Sequence, residues 1–80
     1  MTMIFMKKSK QVITNGKYKH YKGNEYMVLG VARHSETLEE LVVYQAQYKD
    51  KLIWVRPLEM FLENTEVDGK QIPRFRCIKK

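Results

Sequence analysis

Glu25-Tyr26-Met27-Val28-Leu29-Gly30-Val31-Ala32-Arg33 is the stretch on which the fold turns. Its density of β-branched and aromatic side chains predicts a long strand, with Tyr26, Val28, Gly30 and Ala32 alternating against Met27, Leu29, Val31 and Arg33. A glycine inside such a run weakens a flat strand and marks a bulge or sharp bend, the device by which a small sheet curls on itself. The expected fold is therefore all-β: a small SH3-like barrel.

Working outward, Lys17 to Tyr21 reads as a preceding strand, joined through the tight turn Lys22-Gly23-Asn24. On the other side, residues 35–48 admit two readings. Thr37 and Glu40 stand at capping-box spacing, and Leu38, Leu41, Val42, Gln45 and Tyr48 would share one helical face. Against this, 41–48 is rich in β-branched and aromatic residues, followed by Lys49-Asp50-Lys51 and the strand-like Leu52-Ile53-Trp54-Val55-Arg56. A hairpin accounts for both runs together, with the acidic segment 35–40 as a connecting loop.

Pro57 ends that strand, because it has no N–H for a sheet ladder. Leu58 to Leu62 then forms one helical turn, its apolar residues plugging an open end of the barrel. Asp68-Gly69 supplies a turn, and Ile72 to Phe75 makes the last strand, which Pro73 confines to an edge or bulge. The count is five or six short antiparallel strands. Residues 1–15 read as a loosely ordered basic arm, 16–75 as the barrel, and 76–80 as a basic tail. Tyr26, Tyr44 and Phe61 are the expected core aromatics, with Trp54 undecided.

The segments Gly16 to Asn24, Val31 to Glu39, Val43-Tyr44, Trp54 to Pro57 and Met60-Phe61 together resemble a small bacterial family catalogued only as a domain of unknown function. The resemblance spans Gly16 to Phe75 and implies an SH3-type barrel. It implies no agreed activity.

A chain of 80 residues has room for one core and shallow clefts rather than a deep cavity. Its net charge of +6 resides in the ends. Lys7, Lys8, Lys10, Lys17, Lys19 and Lys22 have no acid among them, and Lys70, Arg74, Arg76, Lys79 and Lys80 meet only Asp68. Between them, residues 23–66 are acidic. Met1 to Met6 is too short for a signal core, and no run nears the roughly 20 apolar residues of a membrane helix. Cys77 is the single cysteine, which fits a reducing cytoplasm. His20 and His34 form no metal-ligand spacing with it or with each other, and no cofactor or metal is expected.

The densest polar cluster is Arg33-His34-Ser35-Thr37-Glu39, at the end of the long strand where barrels place binding loops. Guanidinium groups fork onto phosphate or carboxylate, and Arg56 is expected to add a second cation. The leading expectation is a non-catalytic module for a small polar or anionic ligand such as a nucleotide or modified base, bound by these six residues. A solvated loop whose Ser35 and Thr37 bond their own backbone is the competing structural reading. Three other functions stay open. One is a nucleic-acid or ribonucleoprotein accessory using the basic ends. Another is a peptide-binding groove with Tyr21, Tyr48 and Trp54 exposed together. The last is a small hydrolase with His34 as base and Glu39 as partner, against which the difficulty of excluding water from so small a domain weighs.

Overall fold

The computed structural model describes residues 11–80. Seven strands and one short helix follow in order: β1 (Lys17–His20), β2 (Glu25–Arg33), β3 (Glu40–Ala46), β4 (Ile53–Pro57), α1 (Leu58–Leu62), β5 (Asn64–Val67), β6 (Lys70–Pro73) and β7 (Phe75–Lys79). Five form an antiparallel sheet in the order β4-β3-β2-β1-β7, and β5 and β6 form a separate hairpin. Among the described residues no helix is long and apolar enough to cross a membrane.

The fold is all-β, as the sequence implies, but the sheet does not close into a hydrogen-bonded barrel. Its edge strands, β4 and β7, meet through side chains instead: the Arg56 guanidinium lies over the Phe75 ring, 5.6 Å from its centroid. Phe75 also stacks on Phe61 of α1 at 4.3 Å and meets Tyr44 edge-on at 5.4 Å. Val28 and Val42 complete the fully buried centre with Phe61, whose helix covers one end of the core.

The bend in β2 falls where Gly30 predicts it. Val28 pairs with Tyr44 and Gly30 with Val43, which leaves Leu29 as the extra residue of a bulge. This corrects the simple alternation. Before the bulge Tyr26 and Val28 face inward; after it the inward positions are Val31, opposite buried Val42, and Arg33, while Gly30 and Ala32 turn outward.

Residues 35–39 are the loop and 40–46 the strand, so the hairpin reading holds over the helical one. Three other expectations are corrected. Residues 76–79 are not a tail: they belong to β7, which pairs with β1 through Tyr18–Cys77 and Lys19–Arg76. Their charges hide an alternation in which Phe75 and Cys77 point inward and Arg76 outward. Chain expected to run from Ile72 to Phe75 breaks at Arg74, because β6 pairs back on β5 across the turn Asp68 (φ 52°) and Gly69 (φ 79°). Finally, part of the expected arm is core. Val12 is buried, the Ile13 amide donates to the Tyr18 hydroxyl, and Gly16 approaches so closely that a Cβ there would meet the Ile13 carbonyl oxygen at 2.9 Å. Residues 1–10 of that arm lie outside the described residues.

Tyr44 and Phe61 are buried as expected. Tyr26 is only half-buried, because its hydroxyl reaches the rim to bond that of Tyr48 at 2.9 Å. Burial and that bond push the Tyr26 phenol up to about 12. Trp54, on the open edge strand, is 49% exposed.

Candidate anion-binding site

The polar cluster at residues 33–39 closes on itself. His34 Nδ1 accepts from the amides of Glu36 (3.1 Å) and Thr37 (3.3 Å), and the Thr37 hydroxyl accepts from the Glu39 amide at 3.2 Å. Arg33 donates to the Leu38 carbonyl at 3.2 Å, and the His34 amide donates to the Glu39 carbonyl at 2.7 Å. Leu38 takes the left-handed conformation (φ 64°) that the reversal requires. Ser35, Glu36, Thr37 and Glu39 are exposed. These contacts are those of a turn held by its own side chains.

Arg56 is not among them. Its strand runs beside β3 rather than β2, and the residue sits opposite Val42 on the inward face. There its Nε donates to the Tyr44 hydroxyl at 3.4 Å and its guanidinium covers Phe75. Arg56 instead joins two residues that the sequence did not single out as ligands, His20 of β1 and Arg74 in the bend between β6 and β7.

His20 pairs with Phe75 across β1 and β7, and its ring stands edge-on to Phe75 at 4.9 Å and tilted against Tyr21 at 4.6 Å. Its Nδ1 accepts the Lys22 amide at 3.2 Å. Among the described residues, the charges that act on it are positive. Burial holds its pKa below the ordinary histidine value, and the positive charges of Arg56, Arg74 and Lys22 push the same way. Glu25, on the neighbouring strand, lies 3.6 Å from the Lys17 ammonium.

The backbone fixes Arg74 at both ends, its amide donating to Glu63 and its carbonyl accepting from Tyr21. Its guanidinium lies 5.9 Å from the Tyr21 centroid and donates to Glu63 Oε1 at 3.1 Å. The Nε of this arginine is buried and has no hydrogen-bond partner. An orphaned buried donor costs about 1–3 kcal/mol, so the structure leaves one open position in a cationic seam. Beside the seam, Lys19, His20, Tyr21, Ile72, Pro73 and Arg76 line a shallow recess of ≈ 350 Å³.

Two of the three seam residues carry a faint signal in the sequence: His20 and Arg56 occupy inward positions of strands, two residues from Tyr18 and Trp54. What no pattern supplies is that β4 and β7 face one another. The aromatic trio of a peptide groove is not assembled. Tyr48 and Trp54 share a recess at the β3–β4 turn, whereas Tyr21 packs against His20 and under Arg74. Among the described residues no three His, Cys, Asp or Glu side chains are grouped to hold a metal ion.

An open, all-β domain whose edge strands are joined by a cationic seam is the class these features define. The chain belongs to the DUF1653 family of proteins of unknown function, whose pattern matches residues 16–77. It is similar to a member of that family from Bordetella bronchiseptica, known from its crystal structure, at 35% identity over 86% of this chain and 91% of that one, with a TM-score of 0.76. No curated protein matches.

Proposed function

We propose that this protein is a non-catalytic binding module for a small anionic ligand, a nucleotide being a representative case, and that the seam of His20, Arg56 and Arg74 holds the anion. The observation that carries the reading is the buried, unpartnered Nε of Arg74 in a group of cations that meets Glu63 as its carboxylate. Guanidinium groups recognise phosphate and carboxylate by paired donors, and a partly desolvated site strengthens each bond. A role for Arg33, His34, Ser35, Thr37 and Glu39 has less support, since the side chains of Arg33, His34 and Thr37 already serve the turn.

The test is a titration of the protein with inorganic phosphate and with adenosine monophosphate at constant ionic strength, followed by the NMR signals of both histidines. Binding at the seam raises the His20 pKa and shifts its resonances, because an added anion offsets the cations around it. Arg56→Met abolishes the response and Arg33→Ala leaves it unchanged. A silent His20, or a response lost in Arg33→Ala and kept in Arg56→Met, overturns the reading.

A further inference from the structure

On the outward face of β1 and β7 the two basic ends of the sequence come together. Lys17 pairs with Lys79 and Lys19 with Arg76, so four cations stand as two directly opposed like-charged pairs. Lys19, Arg76 and Lys79 are exposed and Lys17 is half-buried. Glu25 answers them in part, paired with Lys19 across β2 and 3.6 Å from the Lys17 ammonium. Like charges placed directly opposite each other in a sheet are destabilising, so folding alone gains nothing from this arrangement. The face continues into the recess beside it, because Lys19 and Arg76 belong to both. That recess adds the Tyr21 ring and the apolar Ile72 and Pro73.

We infer that this outward face is a docking surface for single-stranded nucleic acid, with Lys17, Lys19, Arg76 and Lys79 holding consecutive phosphates and the recess receiving one unstacked base against Tyr21. Two rows of cations fit a phosphate backbone, and a recess with an aromatic wall fits a base face. Bases locked in a duplex have no free face to offer it, which sets the single strand above the double strand. The phosphate-holding quartet is on the opposite face of the sheet from Arg56, while the recess borders the anion seam through His20.

Fluorescence anisotropy with a labelled oligothymidylate and a duplex of equal length tests it. The single strand binds, and log K falls against log salt with a slope near −3, about 0.7 for each phosphate contact. Lys19→Gln with Arg76→Gln reduces that slope by about 1.4. The same double variant melts at a higher temperature, since it removes one opposed pair of like charges. Arg56→Met binds the oligonucleotide as the unaltered protein does. The inference is overturned if the duplex binds as well as the single strand or the slope is flat. It is equally overturned if binding survives the double variant and is lost instead on replacing Lys7, Lys8 and Lys10 by Gln.

Discussion

The loop at 34–39 and the seam between β4 and β7 each hold a histidine beside arginine and carboxylate, yet they are opposite kinds of polar region. In the loop every hydrogen bond spans two to five residues, and polar side chains complete a backbone reversal. Those contacts are local and cheap in entropy, because the partners are already neighbours in the chain. In the seam the participants are residues 20, 56 and 74, brought together only after the sheet has curled. Two guanidinium groups there flank a neutral imidazole, Glu63 answers Arg74, and a buried donor is left over. Polar density along a sequence therefore marks a turn as readily as a site. Unmet hydrogen-bonding capacity across a fold is the better marker.

The comparison breaks most visibly at Phe75, which supports the seam from beneath. Phe75→Ala removes the stack on Phe61, the edge contacts with Tyr26, Tyr44 and His20, and the platform under Arg56. The expected loss is about 3–5 kcal/mol in urea denaturation, a large share of what a small domain has. His34→Ala removes the acceptor for two loop amides and should cost about 1 kcal/mol in the same assay, with phosphate binding unaffected. A cost matching that of Phe75→Ala would make the loop part of the structural core.

Titration sharpens the contrast further. Because the His20 pKa is lower in the folded than in the unfolded chain, the unfolded state takes up the proton first. Stability contributed by neutral His20 is present above the unfolded value near 6.5, and is lost as pH falls through it toward the folded pKa. Partial exposure keeps this effect modest. Denaturation midpoints measured from pH 8 down to 5 should fall in the unaltered protein and fall less in His20→Gln, and phosphate should flatten the difference. The smallest effect is expected at Val55, which is 59% exposed on the open edge strand: Val55→Lys should stay within about 0.5 kcal/mol by thermal denaturation.

How much of this was legible in the sequence depended on the range of the cause. The limits of β2, its bend near Gly30 and the Asp68-Gly69 turn follow from neighbouring residues and are readable. Strand β5 was missed because Asn64 and Glu66 are exposed and only Thr65 and Val67 lean inward, too faint an alternation to register. Residues 76–80 read as a tail in the sequence because Arg76, Lys79 and Lys80 outweigh the inward Phe75 and Cys77. For the candidate site the difficulty was greater. Arg56 was readable as a cation worth noting, but its partners depend on which edge strands face one another, and that is a property of the whole sheet.

The extra residue at Leu29 acts on β2 as a frameshift acts on a message. Substitution there alters one exposed side chain, and deletion would straighten the strand while leaving Gly30 opposite Val43 and Val31 opposite Val42. What would put the rest of the strand out of phase is the pairing of Leu29 into the ladder: Gly30 and Ala32 would then turn toward the core in place of Val31. That Leu29 stays out of the ladder is thus as strict a requirement of this fold as the hydrophobicity of Val28 or Val31.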